Sequence, residues 1–139
     1  MTLTRRKALT LGLGGIAFAA IPGLSTAATV EELTAAFTGG ATPGTSGITL
    51  TTPEIAENGN TVPVSVDAPG AVAIMLLASG NPEPAVATIT FGPAAGRQFA
   101  ATRIRLAKTQ DVIALAKMAD GTIVQAQATV KVTIGGCGG

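Results

Sequence analysis

From Ile48 onward the chain alternates between apolar and small polar residues with a period of two. Val62, Val64 and Val66 alternate with Pro63, Ser65 and Asp67, and Val86, Thr88 and Thr90 alternate with Ala87, Ile89 and Phe91. Ile104 and Leu106 alternate with Arg103 and Arg105, and Val130, Val132 and Ile134 alternate with Thr129, Lys131 and Thr133. This is the pattern of strands with one face buried and one wet. Two denser runs, Val72 to Ala78 and Val112 to Ala116, read as central strands, although Ala114, Ala116 and Met118 also suit a helix. Turn residues separate the runs at Asn58-Gly59-Asn60, Pro69-Gly70, Gly80-Asn81-Pro82, Pro93 with Gly96, and Asp120-Gly121. Asp120-Gly121 is expected to close a hairpin whose second strand runs on to Ile134. Seven or so short strands without room for crossover helices predict an all-β, two-sheet sandwich of immunoglobulin-like type over residues 48–134.

The pattern before Ile48 is different. Thr29 with Glu32 has the spacing of a capping box, and Val30, Leu33, Ala36 and Phe37 form an apolar stripe at helical spacing. A short helix from Val30 to Phe37 is predicted, ended by Gly39-Gly40 and too short to persist without packing against something. A Gly, Thr and Pro-rich linker follows to Gly47, completing a segment of residues 28–47. Residues 1–27 read as an export signal, with Arg5-Arg6-Lys7 preceding an apolar run that is broken by Pro22 and followed by small residues. That run is about 16 residues long, short of the roughly 20 that span a bilayer, so no membrane attachment is expected after export. The paired arginines resemble a twin-arginine signal, with Ala8 where Phe is usual, and point to the periplasm.

Composition narrows the chemistry. The 139 residues carry nine Lys plus Arg against eight Asp plus Glu, which offers no cationic field for nucleic acid. A cut after Ala27 removes three basic residues and no acidic one, so six face eight and the net charge moves from +1 to −2. The chain has no His, Trp or Tyr, and so lacks the usual general base and the commonest metal ligand. Neither a metal nor a cofactor is expected.

One cysteine, Cys137, stands third from the end in Gly135-Gly136-Cys137-Gly138-Gly139. Glycines cost the most backbone entropy to order and supply nothing to pack, so residues 135–139 read as a flexible arm. The cysteine is three residues beyond Ile134, a reach of about 10 Å when extended. A lone cysteine cannot form an intrachain disulfide, and one thiolate without His cannot fill a zinc shell. With no His to take its proton it does not read as a hydrolase nucleophile. A covalent carrying point served by other proteins fits best. Two other readings stand beside it: an exported structural or chaperone-like domain that uses the cysteine only for an intermolecular disulfide, and an independent thiol enzyme.

The C-terminal GGCGG resembles the signature of the SoxY family, the sulfur-carrier subunits of the Sox thiosulfate-oxidising system. Further matches are Ile55-Ala56-Glu57-Asn58-Gly59-Asn60 with Val62-Pro63-Val64, then Asn81-Pro82-Glu83-Pro84, Thr102 to Ala107, Thr109-Gln110, Asp120-Gly121, and Lys131 to Ile134. The resemblance implies a periplasmic carrier, not an enzyme, paired with SoxZ as a heterodimer. In this family the tail cysteine, here Cys137, is the covalent attachment residue, and Gly135, Gly136, Gly138 and Gly139 form its arm. The resemblance also implies transient contacts with haem-containing SoxXA, which loads thiosulfate, with SoxB, which releases sulfate, and, in the many organisms that have one, with the sulfane dehydrogenase SoxCD. The chain departs from the family in lacking a Pro-Met stretch with an aromatic residue before Val72 and aromatics near Ile123 and Val124. Arg103 and Arg105 are expected to share one face of a strand, either solvated or in contact with SoxZ or an anionic sulfur group. Asn58-Gly59 reads first as a turn, and Phe91, Phe99 and Met75 as core or partner packing.

Overall fold

The structure is a computed structural model and describes residues 27–135. The export signal up to residue 26 and the arm residues Gly136, Cys137, Gly138 and Gly139 lie outside the described residues. One helix, α1 (Val30–Thr38), precedes eight strands: β1 (Thr49–Thr51), β2 (Ile55–Ala56), β3 (Val62–Asp67), β4 (Ala71–Ala78), β5 (Ala85–Thr90), β6 (Phe99–Ile104), β7 (Gln110–Met118) and β8 (Ile123–Val132). They form a three-stranded sheet ordered β1-β3-β6 and a five-stranded sheet ordered β2-β8-β7-β4-β5. The architecture is an immunoglobulin-like sandwich, as the alternation predicts. Among the described residues, no helix is long and apolar enough to cross a membrane.

The core lies between the sheets. Val62, Val64 and Val66 of β3 point inward and meet Ile74, Leu76, Val112, Ala114 and Val130 of the opposite sheet. Apolar area removed from water in this layer is the main force holding the sheets together. β7 is a strand throughout, and its continuous apolar run has a direct cause. Its inward residues Val112, Ala114 and Ala116 face the core, while its outward residues Ile113 and Leu115 join Leu77 beneath Val30, Leu33 and Phe37 of α1. A strand covered on both faces loses its polar alternation. The helix is therefore the lid on the outer face of the five-stranded sheet, which is the packing so short a helix requires.

α1 begins where the capping box predicts. The Glu32 backbone N–H donates to the Thr29 hydroxyl at 3.2 Å, and the Glu32 carboxylate accepts from the Thr29 N–H at 2.9 Å. It ends at Gly39, whose φ of 66° lies in the left-handed region. Ala36 is exposed and takes no part in the buried stripe. The segment after the helix does more than link. The Gly44 N–H donates to Ile123 O at 2.8 Å and Gly44 O accepts from the Gln125 N–H at 2.7 Å, so the segment lies along the first half of β8.

Three boundaries differ from the alternation. β6 starts at Phe99, in an Ala and Thr-rich stretch with little hydrophobic contrast, and ends at Ile104. Leu106 is fully buried although it is outside the strand, because its N–H donates to Gly59 O at 2.7 Å instead of to a ladder partner. Arg105 accordingly lies beyond the strand end, and only Arg103 sits on β6. β2 is a two-residue strand parallel to the end of β8, with Ile55 opposite Lys131 and Ala56 opposite Val132. The ladder of β8 ends at Val132, but single backbone bonds hold the chain on to Ile134.

Candidate functional site

The C-terminal segment leaves the sandwich at one end, where β8 runs out. The Thr133 N–H donates to Ala56 O at 3.0 Å, and its hydroxyl donates to Glu57 O at 3.0 Å. Ile134 O accepts from the Gly59 N–H at 2.8 Å. Gly59 is buried in the turn that Asn58 shapes, its side-chain oxygen accepting from the Asn60 N–H at 3.0 Å. The turn reading of Asn58-Gly59 therefore holds, and the turn also ties the root of the arm to the loop after β6.

Gly135 is half-buried against that loop. A Cβ built on Gly135 falls 2.3 Å from the carbonyl oxygen of Ala107, a distance no side-chain carbon tolerates. Entropy was the sequence's reason for glycine here, and close approach of two backbones is the structure's. Cys137 is two residues further on, within about 7 Å of Gly135 when extended.

The loop under Gly135 is fixed by a polar cluster. The Ala107 N–H donates to Asn81 Oδ1 at 2.9 Å, and Asn81 Nδ2 donates to Arg105 O at 2.7 Å. Gln110, the one buried polar residue among the described residues, donates from Nε2 to Asn81 Oδ1 and to Lys108 O, both at 2.9 Å. Its Oε1 accepts from the Gly80 N–H at 2.8 Å. The Thr109 hydroxyl accepts from the Val132 N–H at 2.9 Å, joining the same loop to the end of β8. In the sequence Asn81, Thr109 and Gln110 carry no role beyond the resemblance. Their signal was an isolated polar residue among turn residues, which resembles any solvated loop.

Arg103 and Arg105 are both exposed, but only Arg103 lies on a strand. Arg103 lies on the outer face of the three-stranded sheet, exposed, with Nη1 3.5 Å from the Thr61 hydroxyl. It borders a shallow groove of about 630 Å³ lined by Thr51, Pro63, Ser65, Phe99 and Ala101. Phe99 is 43% exposed there, with the Arg97 guanidinium 4.9 Å from its ring centroid, and Arg97 pairs with Asp67. Phe91 packs on the core and Met75 packs with the cluster under α1. The large exposed apolar residues Ile55, Val72, Phe99 and Ile134 are spread over several places. Among the described residues, no three His, Cys, Asp or Glu side chains gather as metal ligands.

Among the described residues one carboxyl has a clearly shifted pKa, and it is remote from Gly135. In the β7–β8 hairpin the Thr122 hydroxyl donates to Asp120 Oδ1 at 2.6 Å, and this bond, followed by the Thr122 backbone N–H, lowers the Asp120 pKa below its ordinary value. The hairpin begins β8 and the arm leaves its far end, so ten strand residues, about 33 Å, lie between them.

The family model for the sulfur oxidation protein SoxY matches residues 34–137, from within α1 to the lone cysteine. The chain belongs to the SoxY family. Among solved structures it is similar to the sulfur carrier protein SoxY from Chlorobium limicola f thiosulfatophilum, at 34% identity and a TM-score of 0.64, over 76% of this chain and 97% of that one. It is also similar to a Thr-to-Lys variant of a superoxide reductase (neelaredoxin) from Ignicoccus hospitalis, with a TM-score of 0.55 over 66% of this chain and 82% of that one. At 17% identity that second likeness shows the fold alone. A comparison with curated proteins found no match. Against the SoxY background, the segments Ala56 to Asn60, Asn81 and Arg105 to Gln110 gain a shared location. All of them converge on the root of the arm.

Proposed function

We propose that this protein is a periplasmic sulfur carrier which holds intermediates of thiosulfate oxidation covalently on Cys137 and presents them to Sox enzymes. The observation that carries the proposal is the SoxY match, which extends to the chain's one cysteine. In the loading step the Cys137 thiol loses its proton and forms a sulfur–sulfur bond to thiosulfate, and the electron pair released is taken up by SoxXA, the haem-containing oxidant of the step. In the next step SoxB adds water across the bond to the sulfone, so that sulfate leaves and Cys137 retains a persulfide. SoxCD then oxidises that sulfane sulfur to a sulfonate, with water supplying the oxygens and SoxCD taking the electrons, and a second hydrolysis by SoxB releases it as sulfate and frees the thiol. The chain is acted on throughout and is not itself the enzyme, consistent with a thiol that has no histidine to activate it. The glycine arm lets the adduct enter sites too narrow for a chain with side chains, and SoxZ covers part of the exposed apolar surface as a heterodimeric partner.

The test is intact mass of protein purified from cells growing on thiosulfate. Adducts of thiosulfonate or sulfane sulfur are expected on the C-terminal peptide, lost with reductant and absent from Cys137→Ser. A protein free of adducts from a culture that consumed its thiosulfate would overturn the proposal.

A further inference from the structure

The arm has a mount as well as a thiol. The bonds at its root divide into two sets. One set holds the chain after β8: Thr133 to Ala56 O and Glu57 O, and Ile134 O to Gly59. The other set holds the surface that Gly135 touches, for which Asn81 uses both halves of its amide. Its oxygen accepts from Ala107 and Gln110 while its nitrogen donates to Arg105 O. Leu106, fully buried between these bonded residues, anchors the loop in the core, and its N–H closes the circuit at Gly59 O. A surface loop with no positional duty would leave its backbone groups to water.

We infer that Ala56–Asn60, Asn81 and Arg105–Gln110 form a rigid mount that holds the chain through Gly135, with Asn81 and Gly135 as its positioning residues. The inference rests on the carrier reading and deepens it. The free tether to Cys137 is then two residues and not three, and its reach falls from about 10 Å to about 7 Å. The volume the thiol sweeps falls with the cube of that ratio, about threefold, and its effective concentration in a docked partner's pocket rises by the same factor. A shorter reach also sets where a partner must dock. Its pocket mouth has to lie over the Gly80-Asn81 turn and the Arg105–Thr109 loop, next to the exposed side chains of Arg105 and Lys108. Asn81 does its work through Ala107, and Gly135 does so by having no side chain to push the arm off that carbonyl.

The experiment uses the mature full-length chain. Heteronuclear NOE values for backbone amides are expected to stay at the level of β8 through Gly135 in the wild type and to fall only beyond it. In Asn81→Ala and in Gly135→Ala the fall is expected to begin at Thr133 or Ile134. Sulfate release from thiosulfonate-loaded carrier by the sulfate-releasing hydrolase of the same cells should then show a KM for carrier raised about threefold or more, with kcat little changed. Alkylation of the unloaded Cys137 by iodoacetamide should proceed at the wild-type rate. Thr133→Val removes the hydroxyl's bonds to Glu57 O and Ala56 O, at 3.0 and 3.4 Å, and serves if Asn81→Ala does not fold. Gly135 as mobile as Gly139 in the wild type, or an unchanged profile and KM in the variants, would overturn the mount whatever Cys137 carries. Absence of sulfur adducts overturns the carrier reading whatever Gly135 does.

Discussion

Leu115→Ala tests whether α1 seals the outer face of the five-stranded sheet in solution. Leu115 is fully buried although its side chain points away from the main core, in a cluster with Leu77, Ile113, Met75, Val30, Leu33 and Phe37. On the outward side of that cluster the described residues supply only the helix, so its burial depends on α1 being docked. Truncating a fully buried leucine costs about 3 kcal/mol in lost transfer energy and cavity formation. At a urea slope of about 1.5 kcal/mol/M this lowers the midpoint by about 2 M. The chain has no Trp or Tyr, so unfolding is followed by far-ultraviolet circular dichroism. Phe37→Ala on the helix should be coupled to Leu115→Ala by at least about 0.5 kcal/mol, since the two side chains share one cluster. A loss below about 1 kcal/mol for Leu115→Ala, as for a surface position, together with strict additivity, would refute the docked helix.

Thr29→Ala removes the hydroxyl half of the capping box and is expected to lower stability by about 1 kcal/mol in the same unfolding assay. Because Asp120 has a lowered folded pKa, its contribution to stability is present above its ordinary pKa of 3.8 and is lost as pH falls through the folded value. Thr122→Ala should raise the Asp120 pKa toward the ordinary value, as followed by carboxyl carbon shifts in an NMR titration. Mixed with SoxZ under reducing conditions, the protein should sediment as a heterodimer, and two independent monomers would count against that pairing.

The sequence made legible what depends on one face of one segment. β3 alternates visibly because Val62, Val64 and Val66 face the core while Pro63 is exposed and Ser65 and Asp67 are half-buried. The capping box was readable because its partners are three residues apart. β7 was ambiguous for a physical reason, since the helix covering its second face removed the polar half of its pattern. β2 could not be read at all, because a two-residue parallel strand exists only through its distant partner β8. The site divides in the same way. Cys137 stands out by composition, whereas Gly135 is indistinguishable in sequence from its neighbours, and only the Ala107 carbonyl 2.3 Å from its absent Cβ sets it apart. Asn81 and Gln110 are 29 residues apart, and their contact is a property of the folded loop ends.

The placement of Gln110 bears on what the arm end of the sandwich is built for. Its neighbours on the inward face of β7, Val112, Ala114 and Ala116, are all apolar, and a leucine at 110 would bury more hydrocarbon. That leucine would also leave the Gly80 N–H and the Lys108 carbonyl without the partners they now have. A buried polar group with all its bonds made contributes little net stability but strongly disfavours other arrangements of the backbone around it. Among the described residues this cost is met once, directly under the loop that Gly135 touches. At the far end of β8, the bonds of Asp120 to Thr122 span two residues and fix only their own turn. The sandwich therefore specifies the geometry of one end more tightly than burial alone requires, and that is the end from which the cysteine departs.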